Sequence, residues 1–313
     1  MDRDSGARWP IAGCLLGSRS RTPDGVPAHR ATPDFWTEQL RQVRDAGFDD
    51  VEISDAWILV GEMSAPQVRA LRKTLADVCL TPCALHVQRR SVIDPERSEE
   101  NLTYHHRAIE HSAELGVEVY STGLHRQLTA AQRDALWFWT ADGARDPADP
   151  DTWKAAVSRV QEIAAHAADL GLTVALELYE DTYLGTAESA VRFITDVGMD
   201  NVGLNPDVGN LIRLHRPVES WELLYETTLP HAVYWHAKNY LRDEAADGSW
   251  AVAMPSTLRD GLINYRQVIG RALELGYRGP IVCEHYGGDV LGVGVANKVY
   301  LEELLAQAWA REE

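Results

Sequence analysis

The sequence predicts a single-domain α/β protein, a (β/α)8 TIM barrel, on three observations. Short buried runs follow helix-ending glycines at a regular beat: AGFDDVEI, LGVEVYS, LGLTVALEL, VGMDNVGL and LGYRGPIVCE. Glycine there supplies the left-handed cap that returns the chain to a sheet. Eight strand–helix units can be counted along the 313 residues, and alternating units imply a parallel sheet. The first buried run, IAGCLLG, lacks the GxGxxG of a dinucleotide-binding sheet, so a closed barrel fits better than a doubly wound one.

Taken in order, residues 1–10 read as an N-terminal tail and 11–313 as the barrel. IAGCLLG is the first strand, followed by a Gly/Pro/Ser/Arg-rich loop to about Thr32. Thr32-Pro33 opens a helix with Thr as N-cap, and Phe35, Trp36, Leu40 and Val43 give it one buried stripe. DDVEIS is a strand, Pro66 starts a helix through Val78, and TPCALHV is the third strand. A helix from about Pro95 to Leu115 closes at Gly116, before the strand VEVYSTG. An irregular insertion, 126–150, carries the adjacent aromatics Trp137, Phe138 and Trp139, which cannot all face one side of a helix. Some of them should therefore cover a pocket or a partner. Asp149-Pro150 starts a strongly periodic helix, and TVALELY follows as a strand. Three more pairs complete the chain: a helix from Thr186 before NVGLNPD, one from Pro217 before AVYWHAKN, and one from Ile263 before GPIVCEHY. A last helix spans about Val295 to Ala310.

Composition narrows the function. The formal net charge of -17 opposes phosphate backbones and anionic membranes, and the densest basic cluster is only Arg89-Arg90, so no nucleic-acid or membrane partner is expected. The four cysteines fall in apolar runs without zinc-type CxxC pairing and read as reduced core residues. MDRDSGARWPIAG has neither the charge pattern nor the long apolar run of a signal peptide or anchor, which predicts a cytoplasmic protein.

Four buried runs end in groups able to bind a divalent metal: Glu177, Asp207, His236 and Glu284. Each alone has an ordinary alternative: a salt-bridged barrel carboxylate for Glu177 and Glu284, a turn cap for Asp207, a core histidine for His236. Their order changes the odds. Carboxylate, carboxylate, histidine and carboxylate close strands five to eight in succession, at the rim where barrel enzymes keep their chemistry. Three carboxylates and one imidazole suit Mn²⁺ or Mg²⁺ better than structural zinc. A metal holding adjacent carbonyl and hydroxyl oxygens would stabilise the enediolate formed on deprotonation of the neighbouring C–H. His125, near the end of strand four, is a candidate additional base.

With ELYEDTYLGTAE around Glu177, DVGN after Pro206, HAKN after Trp235 and CEH at the last strand, nearly the whole chain resembles the xylose isomerase-like superfamily. Within it, the resemblance is to the group of tagatose 3-epimerase-like enzymes, inosose dehydratases and hydroxypyruvate isomerases. It implies that Glu177, Asp207, His236 and Glu284 bind one Mn²⁺, Mg²⁺ or Co²⁺, with Glu177 and Glu284 also moving protons. It further implies that Arg242, six residues past His236, contacts substrate oxygen and that His86 faces the pocket. Asn210, Lys238 and Trp139 complete the candidate substrate contacts. Two departures stand out: Asn210 replaces a frequent family histidine, and Tyr183 replaces a glutamate of the tagatose 3-epimerase-like enzymes.

The reading is a metal-dependent sugar or keto-sugar isomerase or epimerase that abstracts a proton next to a carbonyl. Its rival is a lyase splitting 3-keto-glycosides by β-elimination, like the large subunit of C-glycoside-deglycosylating complexes, or an inosose-dehydratase-like enzyme. The substrate would be an unphosphorylated sugar or glycoside. A homo-oligomer is expected, or a complex with a small β-rich subunit under the lyase reading.

Overall fold

The computed structural model describes residues 9–309, so of the expected tail only Trp9 and Pro10 fall within it, and the end of the last helix at Ala310 lies outside. Eight parallel strands form the barrel wall: β1 (Ile11–Cys14), β2 (Asp50–Ser54), β3 (Thr81–His86), β4 (Val119–Thr122), β5 (Thr173–Glu177), β6 (Val202–Asn205), β7 (Trp235–Ala237) and, after an excursion, β10 (Ile281–Cys283). The hydrogen-bonded order runs β6-β5-β4-β3-β2-β1-β10-β7. The seam between β6 and β7 is closed more sparsely. Val233 N–H donates to Leu204 O at 3.0 Å, and His236 N–H to the Asn205 side-chain oxygen at 2.8 Å.

The helices fall where the apolar spacing puts them. α1 (Pro33–Asp45) buries Phe35, Trp36, Leu40 and Val43 and is followed by Gly47 at φ 102°. α2 (Ala65–Asp77) and α3 (Ser98–Leu115) follow, the latter capped by left-handed Gly116. α5 (Pro150–Asp169) begins at Asp149, whose carboxylate accepts the Thr152 N–H. α6 (Ala187–Val197), α8 (Trp221–Thr228), α9 (Tyr265–Glu274) and α10 (Val290–Trp309) complete the outer ring. Two short helices lie on the rim: α4 (Ala130–Asp134) inside the insertion and α7 (Gly209–Ile212) after β6.

Strand alternation divides the packing into two bodies. Outward-facing Val174, Leu176 and Leu178 join the large core under the helices, whereas Ala12, Ala84, Val119, Ala175, Tyr234 and Val282 pack together inside the barrel. Small residues there leave room for the polar groups of the next layer. The cysteines are free; Cys283 is buried as expected, but Cys79 is exposed, in a turn at φ 58°.

One element has no counterpart in the expected beat. After β7 the chain leaves the barrel as an antiparallel hairpin, β8 (Asn239–Glu244) paired with β9 (Ala251–Ser256). Its inner face buries Tyr240, Ala251 and Ala253, while Leu241, Val252 and Met254 face outward.

Candidate metal centre and active site

Five of the barrel strands deliver a candidate functional residue at or near their C-terminal ends. Glu177 and His86 close β5 and β3, Asp207 and Glu284 follow β6 and β10, and His236 sits in β7 one register step from the rim. All five are buried. The structure brings the four expected metal-type ligands together. His236 Nδ1 lies 3.2 Å from Glu177 Oε1, 3.5 Å from Asp207 Oδ2 and 3.0 Å from Glu284 Oε2.

One ring nitrogen faced by three carboxylate oxygens is not a self-sufficient arrangement. A single N–H on Nδ1 serves one acceptor, and Glu284 Oε2 is buried without a hydrogen-bond partner. Like charges converging in a dry site demand a cation. The ring meets part of that demand itself: burial would lower the His236 pKa, but Glu52 and the three ligand carboxylates hold it well above the ordinary histidine value. A hard divalent cation meets it better, and an O₃N donor set fits one.

The second oxygens of Glu177 and Glu284 have partners of their own, whereas Asp207 Oδ2 is shared with Lys238. Glu177 Oε2 lies 2.9 Å from His86 Nε2 and 3.0 Å from His125 Nε2. Burial would raise this carboxyl; the two histidines overcome it and hold Glu177 well below the usual range. Burial lowers the His125 pKa, whereas Glu177 raises that of His86 despite burial. Lys238, 2% exposed, places Nζ 2.7 Å from Asp207 Oδ2 and 2.9 Å from Glu284 Oε1. Asp207 is nonetheless pushed up to about 6, by burial first and then by Glu284 and Glu177. The lysine stem occupies the space a side chain at residue 209 would take. A Cβ on Gly209 would overlap Lys238 Cγ and press Cδ and Cε at 3.1 Å, which explains the glycine in DVGN.

Asn210 is drawn inward: its amide donates to Glu177 Oε1 and to Leu178 O, each at 3.0 Å. Trp139 lies on a cavity of about 240 Å³ between the insertion and the loops after β5 and β6. It stacks on Trp137 at 5.1 Å between ring centroids and meets Tyr240 and Tyr286 edge-on. Arg89 and Tyr179 line both this cavity and the recess over Glu177 and Glu284.

Arg242 is engaged away from the four ligands. Its guanidinium donates to the backbone carbonyls of Ile212, Leu214 and Arg216 at 2.6–2.8 Å and pairs with Glu244, so the structure does not bring it to the ligands. The hairpin carries it off the barrel, and it pins the loop after α7. The buried arginine beside the site is instead Arg213, paired with Glu180 at 2.8 Å and ringed by Phe138, Trp139, Tyr179 and Tyr286 at 4.8–5.7 Å. It anchors the aromatic insertion by cation–π contact. Sequence reading also passed over Glu52. This β2 carboxylate is fully buried beneath the ligands, its Oε2 2.5 Å from His236 Nε2. It obeys the rule that singled out Glu177, a carboxylate within a buried strand.

A family profile described as "Xylose isomerase-like TIM barrel" matches residues 40–310. The chain belongs to the xylose isomerase-like TIM-barrel family. Among solved members, a xylose isomerase-like TIM barrel protein from Mycobacterium smegmatis in complex with magnesium is 43% identical, with a TM-score of 0.91 over 96% of this chain and 97% of that one. An L-ribulose 3-epimerase shares the fold at 16% identity, TM-score 0.68, over 98% and 97% of the two chains. A probable L-ribulose-5-phosphate 3-epimerase of Mycoplasma pneumoniae is 24% identical over 185 residues, 56% of this chain and 55% of that one. The chain thus matches about half the length of this curated relative. Among the described residues no helix is long and apolar enough to cross a membrane.

Proposed function

We propose that this site is a divalent-metal-dependent isomerase or epimerase of a keto-sugar, acting by proton abstraction next to the carbonyl. The observation that carries the reading is the convergence of Glu177, Asp207 and Glu284 oxygens within 3.5 Å of His236 Nδ1. The relatives named as sugar epimerases and the magnesium complex of the 43% identical protein support it. A cation held by Glu177, Asp207, His236 and Glu284 would supply Lewis-acid polarisation of the substrate oxygens; Mn²⁺, Mg²⁺ and Co²⁺ all suit the donors.

The chain's own residues then move the proton. Glu177 Oε2, turned toward His86 and His125, takes it from the carbon next to the carbonyl. His125, whose pKa burial lowers and whose Nε2 lies 3.0 Å from that oxygen, accepts it onward. Glu284 Oε1, with the Lys238 ammonium at 2.9 Å as donor, returns a proton to the neighbouring carbon or to the other face. Asn210 holds Glu177 Oε1 in place, and Trp139 with Tyr179 walls off water. The cavity of about 240 Å³ beside the recess supports a second reading. It has room for an aglycone, and the same proton abstraction followed by loss of a β-leaving group would be a lyase reaction, with a small β-rich subunit to be sought by co-purification from the source organism.

The test is proton exchange in D₂O, followed by NMR on the Mg²⁺-loaded protein with ketoses, inososes and 3-keto-glucosides. Deuterium gained next to the carbonyl with the skeleton intact supports isomerisation or epimerisation. Release of water or an aglycone supports the lyase. No exchange with any member of the panel, while Mg²⁺ is bound, counts against both.

A further inference from the structure

We propose that Glu52 is the positioning residue for His236, fixing which ring nitrogen faces the cation site and thereby setting the site's affinity. The inference rests on the metal reading above. Glu52 lies in mid-β2 with no solvent exposure, in register with Cys14 of β1 and Ala84 of β3, one layer below the rim. Its Oε2 is 2.5 Å from His236 Nε2 and accepts the Tyr234 hydroxyl at 2.5 Å, while Oε1 accepts the Cys14 thiol at 3.2 Å. Among the described residues no lysine or arginine pairs with it; its ion-pair contacts are His236 and, at 3.9 Å, His86.

The chemistry of the pair has one consistent solution. An ionised carboxylate only accepts hydrogen bonds, so His236 Nε2 carries the proton. In the neutral imidazole, Nδ1 then presents its lone pair to the point where Glu177, Asp207 and Glu284 converge. The opposite tautomer would set an Nε2 lone pair against a buried anion at hydrogen-bond distance and block Nδ1 with a proton. A second-layer carboxylate of this kind orients a ligating histidine and raises its basicity. Local sequence serves the same end. Tyr234, the residue just before β7, and His236 within it are two residues apart and both reach Glu52, while Trp235 between them packs into the outer core. Tyr234 thereby locks the rotamer of the carboxylate that locks the histidine.

The test is Glu52→Gln in the full chain, with Mg²⁺ and Mn²⁺ binding to the metal-free protein measured by calorimetry. The glutamine amide can donate to Nε2 and favour the blocked tautomer, so binding should weaken about 10- to 100-fold. Tyr234→Phe, which leaves the Glu52–His236 contact in place and removes only the hydroxyl that orients Glu52, should weaken binding by less than Glu52→Gln does. The spectroscopic readout is the long-range ¹H–¹⁵N spectrum of histidine-labelled, Mg²⁺-loaded protein, in which His236 should be protonated at Nε2 in wild type and shifted in tautomer by the substitution. If Glu52→Gln fails to fold, Glu52→Asp keeps the charge but withdraws it by one methylene and should weaken binding measurably. Wild-type affinity and an unchanged tautomer in a folded Glu52 variant overturn the proposal. Absence of any cation binding by wild-type protein overturns the metal reading itself, and this proposal with it.

Discussion

Replacing Lys238 by Met should destabilise the metal-free protein and tighten cation binding together. The substitution retains most of the stem that fills the space over Gly209 and removes only the ammonium. Lys238 Nζ lies 2.7 Å from Asp207 Oδ2 and 2.9 Å from Glu284 Oε1, and both carboxylates are buried. Removing one partner of a buried pair costs about 3–5 kcal/mol, because the other charge is left uncompensated. At the entropy of unfolding usual for a chain of 313 residues, that is a fall in Tm of roughly 5–8 °C. The second half has the opposite sign. The ammonium is a like charge beside the bound cation, so its loss should strengthen binding at least about tenfold, or about 1.4 kcal/mol. Calorimetric melts in EDTA and in millimolar MgCl₂ read both quantities: the variant should start lower and gain more from Mg²⁺ than wild type does. A metal-free Tm equal to wild type, or a smaller Mg²⁺-induced rise, would refute the assignment of Lys238 as the counter-charge of the ligand ring.

Three further outcomes are expected. Glu177→Gln and Glu284→Gln should each lower deuterium exchange into substrate by at least about 100-fold in protein that still melts cooperatively; near-wild-type exchange in either would remove that residue from the proton path. Asp55, accepting from Tyr104 at 2.8 Å, is pushed up to about 7, chiefly by burial and against the pull of Tyr104, Arg90 and His86. Its folded pKa exceeds its unfolded one, so its contribution is fully present below the unfolded value and is lost as pH rises through about 7. That is roughly 2–3 kcal/mol between pH 5 and 7, and urea melts of Asp55→Asn should lack this slope. Arg242→Met should cost about 2–4 kcal/mol through the freed carbonyls of Ile212, Leu214 and Arg216 and speed proteolysis at 209–219, while KM of the folded enzyme stays put; a raised KM with unchanged stability would return Arg242 to the substrate.

Much of this was legible because barrel physics writes itself into local sequence. A short β-branched run bounded by a helix-ending glycine has few other uses, and a carboxylate such as Glu177 inside one is costly without a partner. What failed was inference across excursions. HAKNYLRD continues a strand pattern, and Asp247-Gly248 is a hairpin signal, yet the strand–helix beat led past β8 and β9. Once the chain leaves the barrel, a six-residue count from His236 no longer says where Arg242 points. Arg213 was hidden in LIRLH because nothing local marks an arginine whose partners, Glu180 and four aromatic rings, come from three other segments. Glu52 was missed for a different reason: it lies one layer beneath the rim, and attention to strand ends passes over strand middles.

The site also shows why such a barrel can be stable before it is complete. Glu52, Glu177, Asp207 and Glu284 are four buried carboxylates around one imidazole, an arrangement that opposes folding on electrostatic grounds alone. The relief is layered. Glu52 accepts from His236 Nε2 below, Lys238 holds Asp207 Oδ2 and the outer Oε1 of Glu284, and His86 with His125 holds the outer oxygen of Glu177. The Glu177 and Glu284 oxygens that face His236 Nδ1 are left to the point where a cation would sit, and Asp207 Oδ2 is shared between that point and Lys238. Stability and function therefore meet at the same residues: a bound cation raises the melting point, and the groups that let the metal-free chain fold, Lys238 among them, also hold the ligand oxygens.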